Sequence, residues 1–225
     1  MKREEKNKIS TQQIKDAAIR LFAKHNSTDI SVNELCRDNN ISKGKFYHYF
    51  ASKDDLLMVC ASYVIDDVCA DIEAVAVSPQ RPLEENLRNY YASRISYWVA
   101  HTDYFVLISL ILNSRDYEFK KRFRPLRAEF DAALSGKTLE ILHAANVKKN
   151  ISDSELLEVM KLVYDNMFLT DMAKIVDALH AGDTAHAQKL CNDLLGLYTR
   201  LINVMLYGIL SDKPNNTTPP ARNLA

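Results

Sequence analysis

Apolar positions recur three and four residues apart along almost the whole chain, the spacing of one face of an α-helix. After Ser10, the positions Ile14, Ala17, Ala18, Leu21 and Phe22 predict an amphipathic helix to about residue 25. Val32 and Leu35 predict a short second helix from Ser31 to about Arg37, and SKGKFYHY a very short third one opened by Ser42. A long fourth helix follows Ser52 and is broken by VSPQRP at 77–82. Further helices are predicted at about 83–101, 103–114, 125–147, 153–180 and 184–210, with breaks at His101-Thr102, Pro125, KKNISD and HAGDT. No alternating, strand-like segment occurs, so the predicted class is all-α with about nine helices.

Start signals support these boundaries. Ser10-x-x-Gln13, Ser31-x-x-Glu34 and Ser52-x-x-Asp55 each set a capping hydroxyl three residues before a side chain that can reach back to it, Asp55 being short for the purpose. Asn26 suits a left-handed helix end, and Asn39 and Asn40 suit a tight turn at positive φ. Two short helices joined by a tight turn and propped by a longer one form a helix-turn-helix arrangement. Residues 1–53 therefore read as one domain and residues 54–211 as a second helical domain. The proline- and asparagine-rich segment 212–225 reads as a disordered tail.

Charge sharpens this division. The 225-residue chain is neutral overall, yet residues 1–53 carry 11 basic against 6 acidic side chains and the remainder 18 against 23. A basic head on a mildly acidic body suits a polyanionic partner for the head. The four cysteines form no CxxC or zinc-type pattern, and Cys36, Cys60 and Cys69 fall in apolar-periodic segments, as buried reduced thiols would. The N-terminus MKREEKNKIS lacks the apolar core of a signal peptide, and the longest apolar run, YFVLISLILN, is too short to cross a bilayer. A cytoplasmic protein with no membrane partner is expected.

The stretch NNISKGKFYHYFASKDDLL concentrates three lysines, a histidine and four aromatic rings around one of only five glycines. Phe46 and Phe50, four apart, can both face inward with Tyr49 beside them, leaving Lys43, Lys45, Tyr47 and His48 outward or at the edges. Gly44 lets the backbone approach a duplex closely. Ser42, with the amides of the first turn, suits a phosphate, and Ser31 offers the same to the second helix. Taken singly, each residue fits a solvated turn over an aromatic core; together they fit a DNA-reading helix better.

These residues resemble the DNA-binding domain of the tetracycline-repressor (TetR) family. IKDAAIRLFAKHN resembles its first helix, ISVNELCRDNNISKGKFYHYFASKDDLL the rest, and the SKG-x-φ-YHYF-x-SK-x-x-L signature is matched almost without gaps. The resemblance implies that Ser31, Lys43, Lys45, Tyr47, His48, Tyr49 and Lys53 face phosphates or base edges, with the tyrosines and Lys53 on the backbone. Lys45 replaces a small residue and Phe46 an aliphatic one, while Asn26 and Asn40 replace frequent glycines. Lys45 is thereby the candidate for base reading, since lysine can donate to guanine O6 and N7.

Beyond residue 55 the resemblance is architectural only. It implies a homodimer through helices 153–180 and 184–210, an effector pocket among the middle helices, and release from a palindromic operator when a small effector binds. The pattern is compatible: Cys191, Leu194, Leu195, Tyr198, Leu201, Ile202 and Met205 make one stripe, widened by Leu197, Val204 and Leu206. Leu156, Val159, Met160, Val163, Tyr164, Met167 and Phe168 make another. A stripe this wide suits burial against a second surface. Candidate effector contacts, each on its own better explained as core, are Tyr63, Tyr91, Trp98, Tyr104, Phe105, Phe130, Tyr164, Phe168 and Asp171; they suit a partly apolar ligand. A second basic run, KKRFRPLR at 120–127, reads as a solvated loop face that an anionic effector could also use. HExxH, GxSxG, GxxxxGK[ST] and GxGxxG patterns do not occur, and His180 and His186 are separated by a break, so no catalytic residue, metal or cofactor is expected.

Overall fold

The computed structural model describes residues 3–145 and 152–208; the side chains of 3–9, 159, 160, 162–167 and 205–208 are not described. The segment 212–225, read from sequence as a disordered tail, lies outside the described residues. Among the described residues the chain is all-helical, in the order α1 (Arg3–His25), α2 (Val32–Asp38), α3 (Lys43–Tyr49), α4 (Lys53–Ala74), α5 (Leu83–Ala100), α6 (Thr102–Asn113), α7 (Tyr117–Ala144), α8 (Asp153–His180) and α9 (Thr184–Gly208).

Local chemistry sets most of these ends. Ser31, Ser42 and Ser52 stand in extended conformation, and their hydroxyls accept from the amides of Glu34, Lys45 and Asp55 at 3.0–3.1 Å. At Ser31 the box is only half made, because the Glu34 carboxylate lies 3.9 Å from His25 Nε2 instead. The full reciprocal box occurs at Ser152 and Glu155, which opens α8. Asn26 (φ 47°) and Asn40 (φ 53°) take the left-handed conformation, whereas Asn39 (φ −113°) caps α2 and donates from its amide to the Leu35 carbonyl at 3.0 Å.

Two sequence-based boundaries are corrected. Helix α1 begins at Arg3, so Ser10 is an internal residue and not a cap. Helix α7 begins at Tyr117, capped by the Asp116 carboxylate accepting from Phe119 N at 2.9 Å, and Pro125 lies inside it. The proline deprives the Lys121 carbonyl of its helical donor, but Lys121 and Pro125 are both exposed, so water can take that place. The run 120–127 is therefore helix, not loop.

Helix α4 is the axis of the molecule. Its first turns bury Leu56, Leu57 and Cys60 against α1, and Val64, Ile65, Val68 and Ile72 continue the same face into the C-terminal body. Helix α7 packs along it and is pinned at both ends. Arg122 Nη2 meets Asp55 Oδ1 at 3.0 Å in the first turn of α4. Lys137, almost fully buried, donates to the carbonyls of Glu73 and Val75 at 3.0 and 3.1 Å and pairs with Glu140 at 2.7 Å. The lysine thus satisfies acceptors that the end of α4 leaves open. These two attachments also make α4 and α7 parallel. Helices α5 and α6 meet at His101 with a bend of 95°, and no single described helix is long and apolar enough to cross a membrane.

The four cysteines are free thiols. Cys60 Sγ, 3.8 Å from the Lys15 carbonyl at the α1–α4 contact, is pushed up to about 12 by burial, with Lys15 pulling weakly the other way.

Lys137→Met should lower unfolding stability by about 2 kcal/mol, the scale of hydrogen bonds to a charged donor, as read by urea titration. The Cys60 thiol ionises more easily in the unfolded chain, near 9, than in the folded one, near 12. Its contribution is complete below pH 9 and is lost as pH rises towards 12. Urea midpoints should fall across that window, and Cys60→Ala should make the fall shallower by about one proton.

Candidate nucleic-acid interface and effector cavity

The α2–turn–α3 unit is built from the inside. Phe46 and Phe50 are buried with their rings 5.7 Å apart, in one cluster with Leu35, Cys36, Ile30 and Phe22. Tyr49 is half-buried beside them, edge-on to His48 at 4.8 Å. With Phe46 fixing one side of α3, the 100° step of the helix turns Gly44 and His48 to the other and Tyr47 to the flank, while Lys43 opens the first turn; all four are exposed. Tyr47 is 57% exposed and makes an edge contact to Phe46 at 5.1 Å. A Cβ added at Gly44 would meet nothing within 4 Å, so this glycine faces open space.

Ser31 and Ser42 are exposed, and each uses its oxygen as a cap acceptor, which leaves the hydroxyl proton available to an outside acceptor. Lys45 is half-buried at the edge of α3, less accessible than Lys43. Lys53 donates to the Thr28 carbonyl at 2.9 Å and so ties the start of α4 to the α1–α2 turn, with two ammonium protons left over. The candidates from Ser31 to Lys53 thus gather on one end of the molecule. The outer row is Lys43, Gly44, Tyr47 and His48; Lys45, Tyr49 and Lys53 flank it.

The effector candidates separate into groups. Trp98, Phe105, Phe130 and Phe168 line one small cavity of about 20 Å³, together with Ile65 of α4 and with Phe123 and Arg127 of α7. Tyr91 is stacked on Tyr198 of α9 at 4.5 Å and borders a separate groove of about 280 Å³ between α5, α7 and α8. Tyr63 and Tyr104 pair with each other at 6.1 Å, Lys15 standing over the Tyr63 ring at 4.2 Å, away from the cavity. Burial, then a hydrogen bond with Tyr63, raises the Tyr104 hydroxyl pKa. Asp171 accepts from Lys174 at 2.7 Å on the surface of α8. The Tyr164 side chain lies outside the described residues.

Sequence reasoning missed Arg94. This arginine is fully buried, with its guanidinium 5.7 Å from the Trp98 ring and 5.5 Å from the Phe130 ring. Burial raises the pKa of the Asp71 carboxyl, against the pull of Arg94. Asp71 Oδ2 and the Trp98 indole nitrogen are buried with no hydrogen-bond partner among the described residues. The available signal was phase: Tyr91, Arg94 and Trp98 stand three and four apart, a base on an otherwise apolar helix face.

Comparison with known proteins adds to this geometry. Residues 14–59 match the family described as bacterial regulatory proteins, tetR family. The chain is 24% identical over 148 residues to the HTH-type transcriptional regulator YerO of Bacillus subtilis (strain 168), covering 65% of this chain and 51% of that one. It is 41% identical over 66 residues to YuxN of the same organism, covering 29% and 21%. The chain thus spans about half, or less, of the length of these relatives. FadR from Bacillus subtilis, solved in complex with stearoyl-CoA, shares the fold at a TM-score of 0.61 and 17% identity, over 84% of this chain and 97% of that one. A tetR-family regulatory protein from Rhodococcus RHA1 does so at 0.62 and 14%, over 86% and 96%. The likeness to the tetR family of bacterial regulatory proteins is thus carried by the N-terminal helix-turn-helix segment, residues 14–59, and the solved structures share the fold.

Proposed function

We propose that this protein is a homodimeric transcriptional repressor that leaves a palindromic operator when a small, partly apolar effector binds its C-terminal body. The observation that carries the reading is the outward row Lys43, Gly44, Tyr47 and His48, set on the rigid base of Phe46 and Phe50. Residues 1–53 bind DNA: α3 enters the major groove, Gly44 permits close approach, and Lys43, Tyr47 and His48 reach phosphates and base edges. Lys45 reads a base from the side, while Ser31, Ser42, Tyr49 and Lys53 hold the backbone. Phosphate contacts position the helix and base contacts specify the sequence.

Residues 54–211 hold the effector and the partner. On α9, Ala187, Leu194, Tyr198 and Ile202 are buried within one copy. The adjacent line Leu190, Leu197, Leu201 and Val204 is only half-covered, and Val204 is 69% exposed. A second copy packed on α8 and α9 covers this line and sets two recognition helices about 34–36 Å apart.

The effector site is the cavity among Trp98, Phe105, Phe130 and Phe168. At about 20 Å³ it has room for little more than one water, so binding requires α7 to part from α4 and α8. The Trp98 N–H, which has no hydrogen-bond partner among the described residues, offers a donor to an effector with an oxygen acceptor, and the rings take its apolar part. A structural relative holds stearoyl-CoA, a ligand with both characters. Since α7 is attached to both ends of α4, moving it reorients α4 and the domain in front of it. Such a switch needs a differential affinity of about 5.5 kcal/mol to pass from 1:99 to 99:1.

Duplexes selected from random DNA should be palindromic and bind with a steep negative salt dependence. Lys43→Ala with His48→Ala should reduce their affinity about 100-fold or more, 2.7 kcal/mol, at unchanged melting temperature. A folded double variant that still binds as the parent does would end the proposal. Gly44→Ala should raise stability by about 0.5–1 kcal/mol and yet weaken DNA binding roughly tenfold, because its Cβ fills the gap between helix and duplex.

A further inference from the structure

The parallel run of α4 and α7 brings the first turns of α7 to the DNA-reading end of the molecule. Arg122 reaches Asp55 one turn from the start of α4. Next to it, Arg115 at the α6–α7 corner shares a cleft with Thr28, Asp29, Lys53, Asp54 and Asp116. Residues 115–124 hold five basic against two acidic side chains.

Their arrangement is not that of a mixed solvated face. Phe119, Phe123 and Phe130 are buried and define the inner side of α7. With a 100° step, Tyr117, Lys120, Lys121 and Arg124 then share one outward arc, while Glu118 and Arg122 fall on the opposite flank. All four arc residues are exposed, Tyr117 at 64%, with the Arg124 guanidinium 6.0 Å from its ring. Lys120 and Lys121 make no ion pair among the described residues. Asp116 is occupied as the helix cap. The first acid on this arc is Asp131, about two turns beyond Arg124, and Arg127 and Lys161 already neutralise it at 2.8 and 3.1 Å.

We propose that the Tyr117–Lys120–Lys121–Arg124 arc is a second DNA contact, which binds operator phosphates next to the base pairs held by α3. The inference rests on the DNA-binding reading above and assigns part of that binding to the C-terminal body. Two ammonium groups, a guanidinium and a phenol donate to phosphate oxygens without reading bases. The arc therefore adds affinity and salt dependence but no sequence preference.

The test is the full-length variant K120A/K121A/R124A, titrated against wild-type-selected duplexes over a range of salt. Each lost phosphate contact flattens the slope of log K against log salt by about 0.9. The slope should flatten by about two to three units and low-salt affinity should fall tenfold or more, with melting temperature and selected sequence unchanged. K120R/K121R/R124K should retain the parent slope. If wild-type protein binds duplex and the K43A/H48A variant does not, but the triple variant binds with parent affinity and slope, this inference falls while the DNA reading stands. A triple variant that selects a different sequence also overturns it. So does one that keeps DNA binding but loses affinity for poly-glutamate, which assigns the arc to an acidic protein. Wild-type protein that binds no duplex removes both readings.

Discussion

One continuous buried face on α4 holds the two halves of this molecule in a fixed relation. Leu56, Leu57 and Cys60 belong to the packing of the N-terminal helices, and Val64, Ile65, Val68 and Ile72 to that of the C-terminal body, yet they lie on one uninterrupted helix. A helix that satisfies its own backbone hydrogen bonds over 22 residues does not bend at low cost, so a displacement at one end appears at the other. The contacts of α7 reinforce this. The Arg122–Asp55 pair is partly exposed and contributes under about 1 kcal/mol. The buried ammonium of Lys137 contributes more, because it donates to two carbonyls at the end of α4 and hydrogen bonds from a charged donor are the stronger ones. The hold of α7 on α4 is thus firm at the distal end and soft next to the DNA-reading domain.

That asymmetry suits a switch. Ile65 of α4 forms one wall of the small cavity, and Phe123, Arg127 and Phe130 of α7 form another. On the proposed function, a ligand that enlarges it levers α7 about the Lys137 attachment, and the weak Asp55 contact is the first to yield. The unfilled cavity has a cost of its own: Trp98, which lines it, has an indole N–H buried with no hydrogen-bond partner among the described residues. A polar group so placed weakens this state relative to one in which a ligand supplies its hydrogen bond.

The sequence carried the N-terminal domain almost in full because its determinants are local. Serine caps, asparagines at positive φ and the four-residue spacing of Phe46 and Phe50 act within one or two turns, so reading them requires no knowledge of the partner helices. Errors arose where a local rule met a non-local circumstance. Ser10 has the composition of a cap, but α1 already runs from Arg3. Pro125 ordinarily ends a helix, but its missing donor faces water here and Phe119, Phe123 and Phe130 hold the flanking turns to the core. The effector candidates were picked by residue type alone. Four of the nine share a cavity, and the grouping depends on helix crossings that no local pattern encodes. Arg94 was passed over for the same reason, since its burial follows from what Trp98 and Phe130 do from separate helices.

The neutral composition of the chain conceals how its charge is used. The surplus in residues 1–53 gives that end of the molecule a positive field, and the deficit elsewhere leaves the body mildly acidic; on the proposed function, this keeps the body from joining a polyanion at random. A uniformly basic protein of this size would bind any duplex through counterion release, with little difference between right and wrong orientations. On the proposed function, a pose that sets α3, its flanks and the first turns of α7 against the duplex releases many counterions at once. On the same reading α7 follows the cavity and α3 follows α4, so that pose requires the two helices to stay parallel and in register. Electrostatic affinity, which by itself carries no sequence information, would thereby become sensitive to the state of a cavity in the apolar core.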